Sequence, residues 1–277
     1  MTFEAEQLGG SGPELAVLLR ELRKRAGLSG DRLAARCNMS QSKVSRIENG
    51  RTRPSLVDVE AILRAVQAPP ELVAEASALA RMANTEWRNL RELRRKGLGT
   101  RQAQLKGLEA SSTHMRYFLL SMVTGLLATP EYVRASLAHS PADVSKAVAG
   151  KLERQAVLHD VSKRFTFLLT EQAVRWPVVP PLVLAAQMDR LSSLSHFPNV
   201  RIGVIPMGAE TPRVPLNTFT IYDASLVTIE TSAGSLVLRD GRDVRASLQE
   251  FAEYETCAVF GEEFRARLAE WAAGCRA

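Results

Sequence analysis

The stretch SQSKVSRIENGRTRPS, residues 40–55, decides the fold of the N-terminal part of the chain. It is polar at nearly every position, yet Val44 and Ile47 are three residues apart, which is the spacing of residues on one face of a helix. Ser40 is suited to cap such a helix, and Gly50 supplies the left-handed residue that ends it. The stretch therefore predicts a short helix with one narrow buried face and hydrogen-bonding side chains elsewhere.

The sequence on both sides of this helix predicts four more helices. Apolar residues recur at helical spacing between Pro13 and Gly27, Ser29 caps a second helix, and Ser55 caps a fourth with Asp58 at the capping-box position. A fifth helix follows a Pro-Pro pair. Five short helices in about 65 residues, with a break of two to three residues between the second and third, indicate a helix-turn-helix arrangement.

The distribution of charge agrees with this fold. The net charge is +6, and the segment from Arg20 to Arg53 holds ten basic and three acidic residues. A basic cluster of this kind is typical of a nucleic-acid-binding module, although a solvated basic face has the same composition. The charge alone does not decide between these two interpretations.

Residues 19–55, LRELRKRAGLSGDRLAARCNMSQSKVSRIENGRTRPS, closely resemble the XRE family of repressors, which are related to the phage repressors and Cro proteins. The most recognisable part is the SRIENG stretch followed by PS, and the resemblance covers residues 13 to about 70. One position departs from the family: Gly30 stands where a glutamine commonly begins the second helix and contacts a phosphate. We expect that contact to be missing.

The resemblance implies that the start of the third helix enters the major groove of double-stranded DNA. Glutamine can pair with adenine and arginine with guanine. The expected base contacts are Gln41, Ser42, Lys43 and Arg46, and the expected phosphate contacts are Ser40, Asn49, Arg51 and Arg53. Glu48 is acidic and is expected to brace the fold through Arg20 or Arg23. Because one such module binds modestly and the fold usually works as a two-fold dimer, we expect a homodimer on an inverted repeat.

The predicted organisation is a flexible leader over 1–12, a mainly α helix-turn-helix domain over 13–78, a connecting helix or linker over 79–104 and an α+β domain over 105–277. The last domain is expected to hold helices, including one through 101–128, and an antiparallel sheet. Its predicted strands are RFTFLLTEQAV, VRIGVIP, NTFTIYD, LVTIET and SLVLRD, the last three forming a meander. Dimerisation and effector or partner binding are assigned to this domain.

The C-terminal half carries the stretches TGLLATPEYVRA, LERQAVL, FLLTEQAV, QMDRLSSLS, PNVRIGVIP and NTFTIYD. Over about residues 105 to 270 these resemble the C-terminal domain of actinobacterial XRE regulators, the WhiJ-like sporulation regulators among them. Members are often encoded beside a small partner protein and are described as antitoxin-like. The resemblance implies a small partner protein encoded nearby.

Other features argue against several classes of protein. No run of about 18 apolar residues occurs and the N-terminus lacks the pattern of a signal peptide, so a cytoplasmic protein with no membrane partner is expected. Cys37, Cys257 and Cys275 are far apart, which predicts neither a disulfide framework nor a metal site. No HExxH, GxSxG or phosphate-loop motif occurs, so we expect neither an enzyme nor a cofactor.

These observations favour a sequence-specific, dimeric transcriptional regulator that is controlled through its C-terminal domain by a small partner protein. Two alternatives remain. One is an antitoxin-like protein that neutralises a partner and uses DNA binding for autoregulation. The other is a small-molecule-sensing regulator, for which Trp176 and the nearby prolines either wall a ligand pocket or form a rigid loop over the core.

Overall fold

A computed structural model of the chain describes residues 7–89, 98–138 and 144–277. The chain divides into two compact units. The N-terminal unit comprises Met1–Arg88 together with Leu236–Val244, and the C-terminal unit comprises Asn89–Ser235 together with Arg245–Ala277.

The N-terminal unit contains the five predicted helices. They are α1 (Gln7–Arg25), α2 (Gly30–Cys37), α3 (Gln41–Glu48), α4 (Leu56–Ala65) and α5 (Pro70–Asn84). α1 begins before Pro13, so residues 7–12, which the sequence predicted as part of a flexible leader, are helical. The helix continues past Pro13 although that residue has no backbone N–H to donate. The predicted leader residues 1–6 lie outside the described residues.

The helices of this unit surround one apolar core. α1 packs against α5, and α2 packs against α3 and α4. The fully buried residues at the centre are Leu15, Leu19, Leu33, Val44, Ile47, Val59, Ile62, Ala76 and Ala80. Val44 and Ile47 are the two residues through which α3 joins this core, as the sequence predicted.

A short segment from late in the chain, Leu236–Val244, belongs to the N-terminal unit. The backbone N–H of Arg239 donates to the carbonyl oxygen of Asn84 at 3.1 Å. The guanidinium of Arg242 donates to both carboxylate oxygens of Glu60 at 2.8 Å. Nothing in the local sequence pattern predicted this association, because the contacting residues are far apart in the chain.

The predicted connecting helix over 79–104 is not one continuous helix. After α5 the chain forms the strand β1 (Thr85–Asn89), and a new helix, α6, occupies Leu98–Ser111. Residues 90–97 lie outside the described residues. The β-branched Thr85 already has extended dihedral angles where α5 ends, with φ −109° and ψ 121°.

The remaining helices follow α6 in the chain. They are α7 (Pro130–Ser136), α8 (Ser145–Arg154), α9 (Glu171–Arg175), α10 (Pro181–Leu194), α11 (Gly241–Thr256) and α12 (Gly261–Arg276), and a 3-10 turn (Gln155–His159) follows α8. Thr129 caps α7 by accepting the N–H of Tyr132, and Pro130 occupies the first turn, as expected from the TPEY stretch. α10 packs against α12.

Seven strands in the described C-terminal part form one sheet: β2 (His114–Leu119), β3 (Arg164–Thr170), β4 (Val200–Ile205), β5 (Thr218–Tyr222), β6 (Leu226–Glu230), β7 (Gly234–Leu238) and β8 (Val259–Phe260). Their order is β7-β6-β5-β2-β3-β4-β8. β2 pairs with β3 and β3 with β4 in parallel, whereas β2–β5, β5–β6 and β4–β8 are antiparallel.

The prediction of an antiparallel sheet was therefore wrong: the sheet is mixed. The reason is β2, which lies at the centre of the sheet but was predicted as part of a helix over 101–128. Residues 117–119 of β2 are all buried, and a continuous apolar run covered on both faces has no alternation that separates strand from helix. Tyr117 lies opposite Phe167 in the parallel pair, and their rings stack with centroids 4.7 Å apart.

Candidate nucleic-acid interface

The connection between α2 and α3 is a tight turn of three residues. Asn38 ends α2 in a left-handed conformation, with φ 53° and ψ 44°, and the N–H of Met39 donates to the carbonyl oxygen of Ala34 at 2.9 Å. Ser40 then caps α3, and its hydroxyl accepts the N–H of Lys43 at 3.2 Å. These local bonds set the direction in which α3 leaves the turn.

α3 has one buried face and several exposed side chains on its other faces. Val44 and Ile47 are buried in the core. Gln41 and Ser42, in the first turn, and Arg46, one turn later, are exposed. Three of the four predicted base-contacting side chains are thus accessible, and two of them project from the N-terminal end of a firmly capped helix.

Lys43, the fourth predicted base contact, forms an ion pair with another side chain of the same unit. Its ammonium group donates to Oδ1 of Asp58 at 2.7 Å, and its side chain is 38% exposed. The other oxygen of Asp58 accepts the N–H of Ser55 at 3.1 Å, which completes the predicted capping box of α4. Asp58 therefore connects α3 to α4, a role that the sequence did not reveal.

The predicted phosphate contacts lie at the two ends of α3 and in the loop that follows. Ser40, Asn49, Arg51 and Arg53 are all exposed. The amide group of Asn49 donates to the carbonyl oxygen of Ser45 at 2.8 Å.

The loop after α3 is held at both ends. Gly50, with φ 68°, allows the chain to turn so that the N–H of Arg51 donates to the carbonyl oxygen of Arg46 at 2.8 Å. At the far end, the amide of Asn84 donates to the carbonyl oxygen of Pro54 at 2.8 Å. These anchors place the exposed side chains of Arg51 and Arg53 beside the C-terminal end of α3.

Glu48 has the bracing role expected of it. Nε and Nη2 of Arg23 donate to its two carboxylate oxygens at 2.6 and 2.8 Å, and Nη1 of Arg23 donates to the carbonyl oxygen of Leu28 at 2.8 Å. The hydrogen bond to Glu48 raises the pKa of Arg23 above its usual value despite partial burial. One of the three acidic charges in the basic segment is thereby paired within the fold.

Two exposed arginines on α2 were not among the predicted contacts. Arg36 donates to the carbonyl oxygen of Ala65 at 3.0 Å, whereas Arg32 lies in the first turn of α2. The basic density between Arg20 and Arg53 was the only signal for them. At the start of α2, the position that a Cβ atom on Gly30 would occupy is 3.8 Å from Nε2 of Gln41, so the starts of the two helices are adjacent.

Three acidic side chains of the C-terminal unit, Glu153, Asp160 and Glu171, have separate partners. Glu153 is exposed and pairs with Lys106, and Asp160 accepts from Ser162. Glu171 pairs with Arg175 and accepts the N–H of Met207. The absence of an enzymatic activity stays a prediction.

None of the described helices is both long and apolar enough to cross a lipid bilayer. Within the same residues, no group of three or more His, Cys, Asp or Glu side chains is arranged to hold a metal ion. Trp176 is 51% exposed.

Three solved structures are similar to part of this chain. NucT from Helicobacter pylori has 9% identity and a TM-score of 0.40, and the match covers 64% of this chain and 98% of that chain. The phospholipase D family member Nuc from Salmonella typhimurium has 11% identity and a TM-score of 0.36, and the match covers 64% of this chain and 97% of that chain. The archaeal chromatin protein TrmBL2 has 12% identity and a TM-score of 0.33, and the match covers 79% of this chain and 68% of that chain. No curated protein matched the sequence.

Two family models match the sequence. One, described as a helix-turn-helix domain, matches residues 14–76 and therefore covers α2, the turn and α3. A helix-turn-helix domain indicates DNA binding. The other, described as a domain of unknown function (DUF5753), matches residues 102–270, which is more than half of the chain. The protein thus belongs to the DUF5753 family, and it carries a helix-turn-helix domain in front of the family's defining domain.

Proposed function

We propose that the protein is a sequence-specific transcriptional regulator that reads DNA through α3. The observation that carries this proposal is the division of α3 into a buried face of two residues and exposed donor groups on the other faces. A helix that contributed only to folding would have no need of polar donors at the first turn and one turn later. A helix that lies in the major groove needs them at those positions.

In this proposal Gln41, Ser42 and Arg46 contact base edges. Glutamine offers the donor and acceptor pair that matches adenine, and arginine offers two parallel donors that match guanine. Lys43 can contribute only by giving up or sharing its bond to Asp58, so we assign it the weakest part in base recognition. Each good bidentate pair is expected to be worth about 1–3 kcal/mol of discrimination.

Ser40, Asn49, Arg51 and Arg53 are proposed to contact phosphates and to set the position of α3 on the duplex. Such contacts contribute affinity that is independent of sequence and sensitive to salt. The anchored loop after α3 supports this role for the two arginines, because it fixes the backbone from which they extend. Arg32, exposed in the first turn of α2, is a further phosphate contact in this proposal.

We further propose a homodimer on an inverted repeat, controlled by a small partner protein that binds the C-terminal domain. The support is the likeness to XRE regulators, whose small DNA-binding modules usually work in pairs. In an antitoxin-like role, the chain would neutralise the partner and DNA binding would serve autoregulation. This role would also use α3 for DNA and the C-terminal domain for the partner.

The test is a selection of random duplex DNA by the full-length protein at physiological salt, with bound sequences determined. A palindromic motif is expected. Loss of the motif in a protein with Gln41→Ala and Arg46→Ala, but not with Arg245→Ala in the C-terminal unit, would assign recognition to α3. If the unaltered protein enriched no motif, the proposal of sequence-specific binding would be wrong. Recovery of the protein from its own cells, with bound DNA and proteins identified together, tests for the partner.

A further inference from the structure

The C-terminal unit contains a cavity of about 600 Å³. Its walls come from one face of the sheet, namely β2, β5 and β6, from the helices α6, α7 and α8, and from the loop of residues 120–125. This volume lies within the range of about 300–1,000 Å³ that is typical of sites for small organic ligands. The residues that attracted attention in the sequence as possible pocket walls, Trp176 and its neighbouring prolines, do not line it.

The mouth of the cavity is apolar. Met122 and Leu216 both line it and are 38% and 77% exposed, so they lie where the cavity opens to solvent. Large apolar side chains exposed on a protein surface often mark binding sites, because leaving them in water is unfavourable. Leu105, Leu120 and Leu137 continue the apolar lining further in.

The floor of the cavity is polar and buried. Gln102, Tyr117, Arg154 and Tyr222 line it, and each is at most 8% exposed. Nε of Arg154 donates to Oε2 of Glu109 at 2.9 Å, Nη2 of Arg154 donates to Oε1, and Nη1 donates to Oε1 of Gln102 at 2.7 Å. These bonds use three of the five N–H groups of the guanidinium, and the other two are further donors at this floor.

The two tyrosines add neutral hydroxyl groups to this floor. The hydroxyl of Tyr117 donates to Oε1 of Glu109 at 3.4 Å. Burial raises the pKa of Tyr117 and of Tyr222 above the usual value, so both remain protonated over the physiological range. They therefore offer hydrogen-bonding groups without charge.

The charges around the cavity balance. Arg154 is opposed by Glu109 directly behind the wall, and the lining also contains one further cation, Lys151, and one further anion, Glu230. A charged ligand that entered would lose its hydration without meeting a net opposite charge. An uncharged ligand would avoid this penalty, while its polar group could bond to the floor.

We propose that this cavity binds a small uncharged amphipathic molecule, with a hydroxyl or carbonyl group at the buried floor and an apolar portion toward Met122 and Leu216. This site goes beyond the DNA-binding proposal and does not rest on it, since every residue that forms it lies in the C-terminal unit. Failure of either proposal leaves the other standing.

The test uses the full-length protein and the uncharged fluorescent amphiphile N-phenyl-1-naphthylamine. Saturable binding of one molecule per chain is expected. Competitors with the same ten-carbon chain but different head groups then test which head group the floor accepts. We expect 1-decanol to displace the probe at a concentration about tenfold or more below that needed for decanoate or decylammonium. A tenfold difference corresponds to about 1.4 kcal/mol in binding free energy. Absence of saturable binding, or equal or better displacement by either ion, would overturn the proposal.

Two variants locate the site. Ser136→Phe fills the cavity with an aromatic ring and should abolish probe binding. Ser193→Phe is its matched control, because each serine hydroxyl donates to a carbonyl oxygen of its own helix. Ser193 is exposed and does not line the cavity. If Ser136→Phe does not fold, as judged by circular dichroism, Thr124→Trp fills the cavity from the loop instead. Probe binding that survives in a folded filling variant would show that the site lies elsewhere.

Discussion

The carboxylate of Asp240 accepts a hydrogen bond at 3.2 Å from the backbone N–H of Leu56, which lies 184 residues earlier in the chain. Leu56 begins α4, and the N–H groups of a helix's first turn have no partner within the helix. Ser55 already satisfies the N–H of Asp58, so Asp240 supplies a second acceptor at the same helix end. Its other oxygen accepts the N–H of Arg242 at 2.8 Å.

Replacement of Asp240 by alanine is expected to destabilise the N-terminal unit by about 2 kcal/mol, because the buried N–H of Leu56 and the partly buried N–H of Arg242 lose their acceptor. Chemical denaturation should report the loss, and hydrogen exchange of the Leu56 amide should accelerate. Glu270→Ala, which removes an exposed carboxylate in α12, is the control and should change neither quantity. Unaltered exchange at Leu56 in the Asp240 variant would contradict this role.

The ion pair between Arg23 and Glu48 is expected to contribute to folding and not to base recognition. Glu48→Gln should lower the free energy of unfolding by about 3 kcal/mol, since it leaves the largely buried guanidinium without a counter-charge. With Arg23→Met and the double variant, a double-mutant cycle should give a coupling energy of about 1–3 kcal/mol. The DNA motif selected by any folded variant should stay the same, and a changed motif would place Glu48 at the bases instead.

Arg46 and Arg51 are expected to act differently on DNA although both are exposed arginines one short loop apart. Arg46→Ala should relax the preference at one base pair of each half-site by about 1–3 kcal/mol. Arg51→Ala should weaken binding to all sequences alike and reduce the slope of log K against log salt by about one. Affinities measured over a range of salt on the selected site and on single-base variants distinguish the two. If the two variants behaved identically, the assignment of Arg46 as a base contact and Arg51 as a phosphate contact would be wrong.

Asp223 is expected to make stability depend on pH in the acid range. Its Oδ1 accepts from the N–H and hydroxyl of Thr113 and from the N–H of His114. Burial alone would raise the pKa of Asp223, but these bonds to the charged form outweigh it and hold the pKa below its ordinary 3.8. The carboxylate therefore stabilises the fold fully above that value, and this contribution is lost as the pH falls through the lower pKa of the folded state.

The measurement is the free energy of unfolding of the unaltered protein and of Asp223→Asn between about pH 6 and pH 2. The difference between them should be constant at the upper end and should shrink as the pH falls. Glu270→Gln, at an exposed carboxylate, should show no such convergence. A difference that stayed constant down to the lowest pH would show that the hydrogen bonds to Asp223 do not favour its charged form.

The helix-turn-helix unit could be predicted because its signals are local. Ser40 accepts from the N–H three residues ahead, Ser55 and Asp58 cap each other across three residues, and Gly50 has the positive φ that its position suggested. Even the pairing of Glu48 with an arginine of α1 was predictable, because an acidic residue within a basic segment requires a partner. The sequence by itself also indicated the meander of β5 and β6, whose strands are joined by a short turn.

The tertiary structure alone decided the rest. β2 pairs in parallel with β3 across some fifty residues, and its apolar run fits a helix or a buried strand equally well until that partner is known. The bond from Leu56 to Asp240 and the cavity between the sheet and α6–α8 likewise join residues that no local pattern relates. Helix caps and turns are determined by residues within a few positions of each other in the sequence. The pairing of distant strands, the capping of a helix by a distant residue and the formation of a cavity depend instead on how the whole chain packs.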